Sequence, residues 1–150
     1  MKIIVLAGGL STERDVSLSS AAGICRTLVE KGHDAFLLDV FMGLENAPEN
    51  LEDVFTLPDH GLEIVKNIST EEPDLEAVKA SRPDQSDCFF GPNVIELCRL
   101  ADITFLGLHG GEGENGKLQA SFDLLGIKYT GPDSLGCAVA MHKGVAKQIF

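Results

Sequence analysis

The chain has 150 residues, 44% hydrophobic and 6% aromatic, which suits one globular domain with one core. Its net charge of −11 repels phosphate backbones and anionic lipid, which argues against nucleic acid and membrane as partners. The longest apolar runs, Ile3-Ile4-Val5-Leu6-Ala7 and Thr104-Phe105-Leu106, are too short to span a bilayer, and nothing near Met1 has the form of a signal peptide, so the expected location is cytoplasmic.

Residues 2–7 form a continuous apolar run ended by Gly8-Gly9, the pattern of a parallel strand buried on both faces. A helical stripe follows through Leu18, Ala21, Ala22, Cys25, Leu28 and Val29. Thr12 and Asp15 have capping-box spacing near its start, and Gly32 suits the position just past its end. A second strand covers residues 35–40. Residues 2–40 therefore read as a right-handed βαβ unit.

Residues 43–90 are punctuated by Pro48, Pro58, Pro73 and Pro83. Residues 45–87 hold 12 of the 23 carboxylates, opposed only by Lys66, Lys79 and Arg82, and read as a variable, solvated acidic excursion. Short helices are expected at 49–55 and 75–80, and a strand or more helix at 62–68. Pro92 suits the first position of a helix through Val94, Ile95, Leu97, Cys98 and Leu100. Residues 101–108 read as another buried strand, ending in His109-Gly110-Gly111-Glu112-Gly113-Glu114-Asn115-Gly116. Asn115 can cap a helix through Leu118, Phe122 and Leu125 that Gly126 closes. Residues 127–130 form a short strand, Gly131-Pro132 turns the chain, and a last helical stretch carries Leu135, Ala138, Val139 and Ala140 into a basic end with Lys143 and Lys147.

Alternating strands and helices predict an α/β fold of Rossmann-like type, a mainly parallel sheet with helices on both faces. Ligands of such folds sit at the carboxyl ends of strands, which directs attention to loops 8–16 and 109–116. The first is a strand–glycine turn–helix, but it is neither G-x-G-x-x-G nor a Walker loop. It places Glu13 where phosphate would otherwise bind, and a carboxylate there suits an ammonium group or simply complements the helix dipole. His109 can hold a substrate oxygen, move a proton, or serve structure alone. His109-x-x-Glu112-x-Glu114 has no second histidine near it, and Cys25, Cys88, Cys98 and Cys137 show neither zinc spacing nor a disulfide pattern, so no metal site is expected. Lys143 and Lys147 share a helix face and suit nucleotide phosphates or plain solvent.

Taken together, these phrases resemble the D-alanine–D-alanine ligases of the ATP-grasp superfamily. Gly8-Gly9-Leu10-Ser11-Thr12-Glu13-Arg14-Asp15-Val16-Ser17 is similar to the G-G-x-S-x-E-R-E/D-V-S signature. Residues 108–119 resemble L-H-G-x-x-G-E-D-G-x-x-Q, Tyr129-Thr130-Gly131 resembles Y-T-G, and residues 138–143 resemble A-x-x-M-D-K. The resemblance covers residues 2–40 and 92–150. It implies that residues 1–141 are an N-terminal (pre-ATP-grasp) domain and that 142–150 enter the ATP-grasp domain. It further implies that Glu13 binds the ammonium of the first D-alanine, with Val16 and Ser17 close by. His109 lines the same pocket near that substrate's carboxylate, Gly110 lets the backbone approach, and Glu13 and His109 are the catalytic pair. Lys143 reaches the phosphates of ATP, with Mg2+ held by residues outside this chain.

The implied chemistry is phosphorylation of one D-alanine carboxylate and attack by the amine of a second, which requires proton removal, oxyanion stabilisation and positioning. The implied product is the dipeptide of peptidoglycan. The remaining ATP-grasp and C-terminal domains are expected partners, without which these 150 residues do not catalyse ligation. Two positions depart from the pattern: Asn115 and His142 each stand where the family has aspartate. Three other readings stand beside this one: a D-alanine–D-serine or D-lactate ligase, a non-catalytic D-amino-acid or nucleotide-binding module, and an interaction domain forming a homodimer.

Overall fold

The computed structural model describes residues 1–65 and 72–149. Strand β1 (Lys2–Ala7) lies at the centre of a parallel sheet of order β2-β1-β3, between β2 (Asp34–Asp39) and β3 (Ile103–Leu106). Alternation along β1 divides the core. Ile3, Val5 and Ala7 pack with Leu18, Ala21, Ala22 and Cys25 of helix α1 (Arg14–Glu30), while Ile4 and Leu6 face the other side. There they meet Val94, Leu97 and Cys98 of the short helix Val94–Leu100, and Leu118 and Phe122 of the helix Lys117–Leu125. The expected α/β architecture, parallel and covered by helices on both faces, is thus present.

Helix α1 ends as expected, with Gly32 N–H on Val29 O and His33 N–H on Leu28 O, the paired bonds of a Schellman motif. Its start differs. Glu13 occupies the cap position with no side-chain cap bond, and the expected Thr12–Asp15 box does not form. Ser11 takes that work instead: its carbonyl accepts from Arg14 N–H at 3.1 Å and its Oγ from Glu13 N–H at 3.2 Å. Thr12 is left inside the turn, ahead of the helix.

The acidic excursion is not simply solvated. Residues 49–55 give a 3-10 helix, Leu51–Thr56, whose Val54 and Phe55 enter the core. His60 O accepts from Leu37 N–H at 2.9 Å, so this segment shields the outer edge of β2. A second 3-10 helix covers Leu62–Val65; the rest of the expected element at 62–68 lies outside the described residues. Helix α2 (Leu75–Ser81) forms as expected, with Asp74 as its cap. Arg82, read as a solvated charge, is 1% exposed. Its guanidinium donates to Cys88 O and Phe90 O, pairs with Asp84, and lies 4.8 Å from the Phe41 ring centre.

Several boundaries move. Helix α3 (Val94–Leu100) starts after Asn93, a left-handed residue with φ 64°, so Pro92 precedes the helix instead of opening it. Strand β3 is shorter than residues 101–108 and only Thr104 on it is fully buried, because it has little beyond it. The strand expected at 127–130 is one bridge, Thr104 to Tyr129. Helix α4 (Gly111–Glu114) precedes α5 (Lys117–Leu125), whose cap residue is Gly116 and not Asn115. Asn115 nevertheless accepts Lys117 N–H at 3.0 Å, a contact that asparagine makes as well as aspartate. The last helical stretch is two helices, α6 (Ser134–Met141) and α7 (Lys143–Ile149), broken at His142. There Nδ1 accepts Val145 N–H at 3.2 Å, so the imidazole caps α7 at the position where the resemblance implies an aspartate. No described helix is long and apolar enough to cross a membrane.

Candidate functional site

The two loops that the sequence singles out meet at the carboxyl ends of β1 and β3. Ser17, at the first turn of α1, is fully buried, accepts from Gly8 N–H at 2.9 Å and donates to Gly107 O at 2.8 Å. Ser11 Oγ donates to His109 O at 2.6 Å. Two serines therefore tie the loop after β1 to the loop after β3.

Beneath them lies a buried ion pair that sequence reasoning missed. Arg14 Nη2 contacts Asp39 Oδ2 with both side chains at most 10% exposed, and Arg14 Nη1 donates to Gly9 O at 2.8 Å. Asp39 Oδ1 accepts Phe41 N–H at 2.9 Å and Met42 N–H at 3.1 Å. The available signal was an aspartate closing an otherwise apolar strand, which needs a cationic partner if buried.

Above this base, Glu13 and His109 face each other. Glu13 Oε2 lies 3.9 Å from His109 Nδ1, with both side chains partly exposed. Glu13 sits at the N-terminus of a 17-residue helix, where backbone N–H groups favour a negative charge. His109 Nε2 lies 3.3 Å from Ser20 Oγ, one turn beyond Val16 on α1. Gly110 has φ 69°, a conformation that suits glycine, and it turns the chain at Ser11 and Glu13. Phe89, from the excursion, joins Gly9, Ser11, Leu108 and His109 in lining the crevice between the loops.

The structure thus brings Glu13, His109 and Gly110 together. Ser17 N–H bonds Glu13 O at 2.9 Å, so Ser17 adjoins them, but its hydroxyl is committed to the two loops. Val16 is exposed on α1. Lys143 starts α7 on a different part of the domain, exposed and with no ion pair among the described residues. Among the described residues no group of three or more His, Cys, Asp or Glu could hold a metal ion. Glu112 instead pairs with Lys117 at 3.4 Å.

A family model described as D-ala D-ala ligase N-terminus matches residues 2–132. The chain belongs to this family. It is 46% identical over 150 residues to a D-alanine–D-alanine ligase of Lacticaseibacillus casei and 49% identical over 155 residues to one of Pediococcus pentosaceus. Both alignments take in the whole chain and 42% of the relative, so the ligase N-terminal domain spans about two fifths of these curated relatives. A crystal structure of the D-alanine–D-alanine ligase from Bacillus anthracis complexed with ATP matches with a TM-score of 0.59 at 22% identity, over 99% of this chain and 36% of that one. The structure of the enzyme from Coxiella burnetii matches with a TM-score of 0.58 at 25% identity, over 99% and 41%.

Proposed function

We propose that this domain anchors the first D-alanine of an ATP-dependent D-alanine–D-alanine ligase that makes the peptidoglycan dipeptide. The observation that carries this reading is the Glu13–His109 mouth, set 3.9 Å apart on two strand-end loops of a ligase-family domain. Glu13 receives the substrate's ammonium, which fixes which end of the molecule faces ATP, a contribution by positioning. His109 forms the opposite wall, and Gly110 lets the chain come close. Val16 borders the mouth, and Ser17 supports it from within the fold. Lys143, an exposed point charge at the start of α7, serves the phosphates of ATP. Residues 1–141 form the anchoring domain, and 142–150 lead toward the ATP-grasp part. Exposed Leu135, Met141 and Ile149 offer that part an apolar surface. By this reading the 150 residues alone give no dipeptide.

The test is D-alanine-dependent ADP release from ATP by the longest natural product that carries this chain. A rate is expected, and none from a folded product would sink the reading. In the same protein Glu13→Gln loses a charge-assisted contact, and D-alanine binding weakens by about tenfold. Its stability changes by less than about 1 kcal/mol, the scale of a carboxylate at a helix start. Unchanged affinity in a folded variant would make Glu13 only a helix-start charge.

A further inference from the structure

Ser20 is exposed on α1, and its Oγ lies 2.8 Å from Val16 O, 3.1 Å from Ser17 O and 3.3 Å from His109 Nε2. A serine hydroxyl has one hydrogen to donate and two lone pairs to accept. The shortest contact takes the hydrogen, as in the back-bond that a helical serine makes to the carbonyl one turn earlier. What Ser20 presents to His109 is a lone pair, so Nε2 carries the ring hydrogen. A neutral imidazole has one such hydrogen, so Nδ1 is left as an acceptor. That acceptor faces the Glu13 carboxylate at 3.9 Å, too far for a direct hydrogen bond. Two acceptors confronting each other across a gap are the counterpart of a primary ammonium, whose hydrogens can reach both.

We propose that Ser20 is a positioning residue that holds His109 as the Nε2–H tautomer, so that Nδ1 and Glu13 together accept the ligand's ammonium. This assigns His109 to the ammonium end of the substrate, where the family resemblance implies the carboxylate end. The identity of the ligand rests on the D-alanine reading above; the state of the ring does not.

The experiment uses the full natural product, labelled with 15N-histidine and free of ligand, at about pH 8, where an ordinary imidazole is neutral. Long-range 1H–15N spectra report which ring nitrogen of His109 carries hydrogen. The parent shows it on Nε2. Ser20→Ala shifts the ring toward the other tautomer, and Ser20→Thr, which can keep the back-bond and has room at an exposed position, retains the parent pattern. Loss of one neutral hydrogen bond raises the KM for D-alanine about fivefold in Ser20→Ala with kcat less affected, and Ser20→Thr restores it. A parent ring with hydrogen on Nδ1, or a Ser20→Ala spectrum identical to the parent's, overturns the assignment. The predicted spectra without D-alanine-dependent ADP release would support Ser20's role and remove D-alanine as the ligand.

Discussion

Asp39→Asn tests whether the floor of the mouth is held by charge. Asparagine keeps the size of aspartate and one carbonyl oxygen, so the N–H groups of Phe41 and Met42 keep an acceptor. The loss falls on Arg14, whose side chain is 10% exposed beside a carboxylate that is 3% exposed. A charge-assisted bond is worth about 1.5–3 kcal/mol, and breaking a buried pair costs more, about 3–5 kcal/mol, because a lone charge stays in the interior. Typical domains have only about 5–15 kcal/mol in all, so the variant should sit near the edge of folding. The chain has no tryptophan, so urea unfolding followed by far-ultraviolet circular dichroism is the assay. The midpoint should fall while the slope stays constant. Arg14→Met in the Asp39→Asn background should regain part of the loss, since no charge is then stranded. A single-variant cost below about 1 kcal/mol, the worth of a surface pair, would mean that water reaches the pair, and the reasoning fails.

Gly8→Ala should also destabilise, because Gly8 has φ 74° and an added Cβ would lie 2.6 Å from the Asp39 carboxylate. The backbone alone costs about 1–3 kcal/mol, and a thermal midpoint unchanged from the parent would count against it. Thiol chemistry reads the burial of the two core faces. Burial pushes the Cys25 thiol up to about 11 and the Cys98 thiol up to about 12, while Cys88 is exposed. The thiolate is the reactive form, so iodoacetamide at about pH 8 should modify Cys88 first and leave Cys25 and Cys98 intact. Comparable rates at all three, by peptide mass spectrometry, would contradict the packing.

The elements that were legible are those whose own side chains decide them. β1 is apolar at every position from Ile3 to Ala7 because both of its faces are covered, and α1 carries its stripe because one face meets β1 and β2. Boundaries went astray where backbone conformation decides, as at Asn93, at Gly116 and at the break at His142. The excursion was misread because its order comes from distant partners. Arg82 is buried against carbonyls that follow it, and His60 is held in place by the edge of β2. A charge tally cannot foresee either. Glu13 and His109 were legible as a pair only through the two phrases that contain them; Phe89 and Ser20 carried no signal in isolation.

The geometry explains four letters of the first phrase as structure. Gly8 leaves room for Asp39, Ser11 holds the carbonyl of His109, Arg14 neutralises Asp39 and holds the carbonyl of Gly9, and Ser17 joins Gly8 to Gly107. Of its polar residues, Glu13 is the one turned toward the partner loop without a fixed bond there. The buried polar groups also link strands to one another through loops, which is where a parallel sheet offers no ladder to do so. Their satisfaction fixes the two loops from which Glu13 and His109 project, while those two side chains stay partly exposed. Loops held in this way are set before any ligand arrives, and on the proposed reading of Glu13 as an anchoring carboxylate, such preorganisation helps to favour one orientation of a small substrate.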